Sequence, residues 1–371
     1  MNVIARSVND AAIQSFFIFG RQMGRAGLLR RLCLLAMTLL TACAPQQQPY
    51  HPASDPGVGI GPDTVLAADG MMLPLRHWLP LGKPKAIVVA LHGFNDYSNA
   101  FQTTGEFFSK QGVALVAYDQ RGFGHAHYTG IWGNEKNLTA DLAQCVREVK
   151  RRYPHVPVYV LGESMGGAAV IAALADPFFP SVQGAILSAP AVWGKDTMNP
   201  LFRTTLWAAA HTIPEYHLTG SNLKIMASNN IPMLMRLAYD PLVIKATRVD
   251  TIYGLVKLMD SAYAKVPDVK MPVLLLYGGH DEVIPREPVE NALKRFSVPI
   301  RFAYYPDGYH MLLRDIQGEI VMRDIVSWIE KPEKPLPSGF GHDWSNPPTA
   351  APSGHETPAP AMAVPAANPA S

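Results

Sequence analysis

The chain has 371 residues, 48% of them hydrophobic, and carries 32 basic against 30 acidic side chains for a formal charge of +2. That length and apolar content suit one large α/β domain, and the near balance of charge, with no Lys/Arg cluster past the N-terminal segment, excludes a nucleic-acid surface. The three cysteines, Cys33, Cys43 and Cys145, are too few for a disulfide framework.

Arg25, Arg30 and Arg31 precede an apolar stretch from Leu32 to Leu40 that is too short to span a bilayer. This pattern predicts an export signal. It ends in Leu40-Thr41-Ala42-Cys43, which resembles a bacterial lipoprotein signal. The resemblance implies that residues 1–43 are a signal segment ending at a lipidated Cys43; an ordinary secretory signal with Cys43 incidental is the alternative. Each buried acyl methylene contributes about 0.8 kcal/mol, so a multiply acylated cysteine would tie the body to a membrane. Ala44 rather than an aspartate follows, and by the same resemblance this points to the outer membrane of the cell envelope, facing the periplasm. Met23 is a second candidate start, because residues 1–22 make a long approach to the basic region. Gln, Pro and Gly dominate from Pro45 to about Pro62, so residues 44–64 read as a tether.

Met72 to Trp78 and Ala86 to Leu91 read as strands, the second a continuous apolar run of the kind covered on both faces of a parallel sheet. It ends in His92-Gly93-Phe94-Asn95, where His92 is expected to shape the turn. Val113 to Tyr118 is another strand, ending in Asp119-Gln120-Arg121-Gly122-Phe123-Gly124-His125; Asp119 and Arg121 read as structural braces. His125 and His127 form an H-x-H pair without further ligands at zinc-like spacing, and no metal or cofactor is expected. Leu138, Leu142, Cys145, Val146 and Val149 recur at helical spacing, so residues 138–152 form an amphipathic helix with Cys145 a buried thiol on its apolar stripe.

The apolar run Val158 to Leu161 leads into Gly162-Glu163-Ser164-Met165-Gly166-Gly167 and then a helix-like segment, Ala168 to Leu174. Strand, sharp turn and helix place a serine hydroxyl above a sheet edge, with glycines allowing the turn. The N–H of Met165 would face a developing oxyanion. The N–H of Phe94, on the loop after an earlier strand, is its candidate partner.

His-Gly after one strand, Asp-x-Arg-Gly-x-Gly after the next and Gly-x-Ser-Met-Gly-Gly after the third resemble the monoacylglycerol lipase and lysophospholipase group of α/β hydrolases, over about residues 65–330. Ala126 departs from that group, which often has a serine there. The resemblance implies an α/β-hydrolase fold: a mostly parallel central sheet, helices on both faces and an inserted helical cap. The cap would be the segment from about 191 to 269, where the alternation of strands and helices breaks down after the strand Gly184 to Ser188. Its Trp193, Met198, Trp207, Met233 and Met235 would line an acyl-chain entrance, since methionine adapts to flexible apolar ligands.

The strand Val273 to Tyr277 runs into Gly278-Gly279-His280-Asp281-Glu282, and Asp281 stands where the family keeps its triad acid. Arg301 to Tyr305 is the last core strand, followed by Pro306-Asp307-Gly308-Tyr309-His310, and His310 is the expected base. The order Ser164, Asp281, His310, each after a strand, implies convergence at one sheet edge for nucleophilic attack on an acyl carbon. From Lys331 to Ser371 proline and alanine dominate, and the tail is expected to be disordered and dispensable from residue 341 onward. The functional expectation is an envelope-anchored serine hydrolase of carboxylic esters such as monoacylglycerols or lysophospholipids. Two alternatives stay open: a proline-type aminopeptidase, for which Glu215 would hold the substrate ammonium, and a non-catalytic scaffold.

Overall fold

A computed structural model describes residues 44–49, 59–220 and 225–344; Cys43, the segment before it and residues 345–371 lie outside the described residues. In chain order the strands are β1 (Thr64–Leu66), β2 (Met72–Trp78), β3 (Ala86–Leu91), β4 (Val113–Tyr118), β5 (Val158–Glu163), β6 (Gly184–Ser188), β7 (His217–Thr219), β8 (Ala246–Arg248), β9 (Val273–Gly278), β10 (Ile300–Tyr305) and β11 (Gly341–Asp343). The helices are α1 (Gln102–Lys110), α2 (Glu135–Arg152), α3 (Met165–Leu174), α4 (Pro200–Ala210), α5 (Ile231–Tyr239), α6 (Val249–Lys265), α7 (Arg286–Leu293) and α8 (Gly318–Glu330).

Strands β3, β4, β5, β6 and β9 are buried at every position. That is why their sequences are unbroken apolar runs: each strand has helices over both faces, so neither face needs polar residues. The sheet order is β1-β2-β4-β3-β5-β6-β9-β10-β11, parallel from β4 through β10 and antiparallel at both edges. Apolar residues of α2, α3, α6 and α7 close one face. Those of α1 and α8 close the other. Register pairs Leu91 with Gly162, Glu163 with Ser188 and Gly278 with Tyr305, so the loops after β3, β5, β9 and β10 leave the sheet at one common edge. In parallel α/β sheets this carboxyl edge is where ligands bind.

The cap differs from the expected helical insertion over 191–269. Besides α4 and α5 it contains an antiparallel ribbon, β7 with β8. Helix α6 belongs largely to the sheet: Leu258, Met259 and Ala262 join the main core, while Val249 packs with Leu206 and Ala210 of α4. A Cβ at Gly254 would lie 2.4 Å from the Trp132 ring, so α6 is pressed against the body of the domain. The cap is therefore shorter at its C-terminal end than its broken periodicity implied, because one face of a single helix serves the cap and another face serves the core.

Two segments read as loose are in fact docked. In residues 44–49 the Gln46 N–H donates to Asp250 Oδ2 at 3.0 Å, the Gln48 N–H to the Trp132 carbonyl at 2.9 Å, and Gln48 Nε2 to the Ile131 carbonyl at 2.7 Å. Glutamine reads as tether-forming when its partners are far along the chain, as they are here. The expectation of a disordered tail from Lys331 is likewise corrected for residues 331–344. Leu336 is buried, Ser338 N donates to Asp324 Oδ1 at 3.0 Å, and β11 adds an edge strand whose Asp343 pairs with Arg301 at 2.9 Å. Prolines do not prevent this, since an extended edge segment needs few of its own N–H groups. Truncation after Trp344 is expected to leave the denaturation midpoint unchanged. Truncation after Phe340 removes β11 and the Trp344 ring that packs at 5.3 Å on Phe302, and is expected to cost about 2 kcal/mol in urea unfolding.

Candidate active site

Ser164 joins β5 to α3 with φ 54° and ψ −116°, a conformation that a residue with a Cβ adopts only at a cost of about 1–3 kcal/mol. The turn is held from both sides. Ser164 N–H donates to the Ser188 carbonyl at 3.0 Å, and its own carbonyl accepts from Ala191 N–H at 2.9 Å. The glycines are required by contact: a Cβ at Gly162 would lie 2.4 Å from the Gly166 carbonyl carbon, and one at Gly166 would lie 2.2 Å from the Leu91 oxygen. Every residue of α3 is buried, so the strain at Ser164 is carried by the packing of a wholly apolar helix. Met165 is the first residue of that helix, and the N–H of such a residue has no partner within its helix.

The loop after β3 approaches the same point. A Cβ at Gly93 would lie 3.5 Å from Ser164 Cβ, which brings the neighbouring Phe94 to the elbow. The Phe94 ring stands edge-on to Phe123 at 5.7 Å. His92 shapes this turn: it is fully buried, Nε2 accepts from Gln120 N–H at 3.0 Å and Nδ1 donates to the Gly93 carbonyl at 2.8 Å. Burial holds its pKa below the ordinary imidazole value, consistent with a neutral ring. The next loop is braced by charge. Asp119 accepts from Ser98 N–H and His125 N–H, each at 2.9 Å, and Arg121 makes four short hydrogen bonds to Asp69 and Asp141. Cys145 is buried, and desolvation pushes its thiol up to about 12.

Asp281 and His310 meet directly. Asp281 Oδ2 accepts from His310 Nδ1 at 2.9 Å, and Asp281 Oδ1 accepts the N–H groups of Val283 and Ile284 at 2.9 Å each. The carboxylate is thus fixed by two backbone amides before it touches the ring. Burial disfavours the charged form of His310, but the charge and hydrogen bond of Asp281, joined by Glu163, outweigh it and raise the pKa above the ordinary imidazole value, with Arg314 opposing. The structure holds Ser164, Asp281, His310, Phe94 and Met165 along one edge and brings the acid and base into contact.

The cap is stitched to these loops. Ile244 N–H donates to the Asn95 carbonyl and Met311 N–H to the Ala227 carbonyl, each at 2.9 Å, and Met226 N–H donates to Glu282 at 2.7 Å. Asp315 accepts from Ser228 Oγ at 2.6 Å and from Tyr309 N–H at 2.7 Å, so it braces the segment carrying His310 against the cap. Ser164 is 8% exposed and His310 5%. Sequence reasoning missed Asp315, Ser228 and the buried Arg314; the side-chain pairs they form, Ser228 with Asp315 and Arg314 with Glu163 and Asp96, span 87, 151 and 218 residues and leave no local pattern.

A strained serine between strand and helix, a carboxylate–imidazole pair after two later strands and a doubly covered parallel sheet define the α/β-hydrolase class, and the protein is an enzyme of that class. The family model described as serine aminopeptidase, S33, a hydrolase family, matches residues 82–317, and the chain belongs to that family. It is similar to a monoglyceride lipase of Rattus norvegicus, 27% identical over 276 residues that cover 71% of this chain and 89% of that protein. It is also similar to a monoacylglycerol lipase of Mycolicibacterium smegmatis, 26% identical over 272 residues, covering 70% and 93%. Among solved structures, a soluble variant of the Saccharomyces cerevisiae monoglyceride lipase, in complex with a substrate analogue, superposes with a TM-score of 0.63 at 18% identity, covering 76% of this chain and 99% of that one. The Paleococcus ferrophilus monoacylglycerol lipase gives 0.58 at 22% identity, covering 70% and 98%. At such identities the solved structures bear on the fold alone.

Proposed function

We propose that the protein hydrolyses carboxylic esters with a small polar head and an acyl chain, monoacylglycerols first and lysophospholipids second, through an acyl-enzyme on Ser164. The observation that carries this reading is a strained serine elbow on the same sheet edge as the Asp281–His310 pair. Ser164 Oγ attacks the acyl carbon as its proton passes to His310 Nε2. The N–H groups of Met165 and Phe94 take the oxyanion, and His310 returns the proton to the departing alkoxide. Water, deprotonated by His310, then attacks the acyl carbon; the acyl–oxygen bond breaks, the fatty acid is released and the imidazolium returns its proton to Ser164 Oγ. Asp281 holds the imidazole tautomer and stabilises the imidazolium. The names of the relatives support the lipid ester.

The family's description keeps the aminopeptidase reading in view. Glu215, its candidate ammonium ligand, lies on the cap surface, where it takes Gln46 Nε2 at 3.0 Å and Arg248 at 3.6 Å, and so is already engaged away from the elbow. A fluorophosphonate probe should label Ser164 in the wild type. A panel of monoacylglycerol, lysophosphatidylcholine and proline-naphthylamide should give turnover on the first two; activity on the last alone would overturn the ester reading, and an unlabelled, folded protein would favour the scaffold.

The raised pKa of His310 sets the pH dependence. The base must be neutral to accept the serine proton, so kcat/KM is expected to fall as pH drops through a pKa lying above the ordinary imidazole value of about 6.5. A pH–rate profile with an acid limb below that value would contradict the pairing with Asp281.

Anchoring at the envelope through an acylated Cys43 is part of the same proposal. Among the described residues no helix is long and apolar enough to cross a membrane. Cys43→Ala should abolish incorporation of labelled palmitate and shift the protein from the membrane fraction; unchanged fractionation would overturn the proposed anchor.

A further inference from the structure

The clearest buried group left without a role is Arg314, four residues after His310. Its side chain is 7% exposed, and it makes two short charged hydrogen bonds: Nη1 to Asp96 Oδ2 at 2.7 Å and Nη2 to Glu163 Oε1 at 2.6 Å. Each partner belongs to a different part of the site. Glu163 ends β5 and immediately precedes Ser164. Asp96 sits two residues past Phe94 on the loop after β3, and its Oδ1 caps that loop by accepting Tyr97 N–H at 2.9 Å. One guanidinium therefore touches the nucleophile strand, the oxyanion loop and the base segment at once.

Resting on the reading of Ser164, His310 and Phe94 given above, we propose that Arg314 is a positioning residue for the hydrolysis: a buried ionic clamp that keeps the base segment in register with the elbow and with the oxyanion loop. Ester hydrolysis needs these three loops aligned, and a misplacement of about 1 Å is enough to cost roughly 10²-fold in rate. The planar fork of arginine suits the task because it grips two carboxylates in fixed directions, which a lysine ammonium does not. The clamp also sets a charge. Glu163, held at Oε1 by Arg314, acts through its charge on His310, which becomes cationic during attack. The charged groups acting on His310 are Asp281 from the loop after β9, Glu163 from β5 and Arg314 from its own segment; the two carboxylates favour the imidazolium and Arg314 opposes it.

The test is a set of three variants, Glu163→Gln, Arg314→Met and Arg314→Lys, each assayed for monoacylglycerol turnover across pH after its fold has been verified by near-UV dichroism. Glu163→Gln should move the acid limb of the kcat/KM profile to lower pH. Arg314→Met should move it to higher pH and lower kcat by about 10²-fold with little change in KM. Arg314→Lys should leave the limb in place, because the charge is kept, while kcat falls because the fork is lost. Shifts of opposite sign are not what general loosening of the fold produces. Unchanged kcat in both Arg314 variants, or limbs moving in one direction for Glu163→Gln and Arg314→Met, would overturn the clamp. If Arg314→Met does not fold, the Glu163→Gln and Arg314→Lys profiles decide alone. Wild-type protein that fails to label with fluorophosphonate would instead remove the underlying reading of Ser164, so the two failures are distinguishable.

Discussion

Replacing Ser164 by alanine is expected to lower kcat by about 10⁶-fold, to the residual rate that binding and oxyanion stabilisation give on their own. At about 1.36 kcal/mol per decade this is a loss of roughly 8 kcal/mol of transition-state stabilisation from one oxygen atom. The fold should be nearly untouched. The bonds that hold the elbow are made by the backbone of residue 164, to Ser188, Ala191 and Ala168, and all of them survive the substitution. Alanine meets the same steric penalty as serine at φ 54°, so the strain neither grows nor disappears. Thermal denaturation should therefore overlay with the wild type while ester turnover and fluorophosphonate labelling both vanish. Turnover above about one per cent in a purified Ser164→Ala variant would mean that another group carries the attack, and His92 is not available for it, since both of its ring nitrogens are engaged.

The parts of the molecule legible in the sequence are those with a local cause. Ala86 to Leu91 reads as a buried strand because helices cover both of its faces and every residue is therefore apolar. The elbow is legible because Gly162 and Gly166 sit where any Cβ would strike backbone within 2.4 Å, so the chain must carry glycine there. Asp281 and His310 are each found by position after an apolar strand. What could not be read depends on partners far along the chain. The ribbon of β7 and β8 has three residues a side, too few for a period of two to register. Helix α6 falls inside the segment that reads as cap, and its apolar residues face two layers and so give no single stripe. Residues 331–344 look like a tail until β10 supplies an edge for them. The Arg314 clamp joins positions 151 and 218 residues apart, and nothing near Arg314, Glu163 or Asp96 announces it.

Asp281→Asn is the second large effect, expected at about 10⁴-fold in kcat, and the coordination of Asp281 explains why so small a change costs so much. Oδ1 accepts the N–H groups of Val283 and Ile284, so in the variant the amide oxygen must occupy that site and the NH₂ must turn toward His310 Nδ1. Two donors cannot face each other. The imidazole then has to present Nδ1 as an acceptor and carry its proton on Nε2, the atom that should receive the serine proton. The ring remains in place but in the tautomer that cannot act as base. Loss of the Asp281 charge also removes the largest influence holding the imidazolium, so the pKa of His310 should fall, and the acid limb of the residual activity with it. Activity lost without that shift would mean that Asp281 only props up the loop, and an unchanged kcat would mean that His310 draws its tautomer from elsewhere.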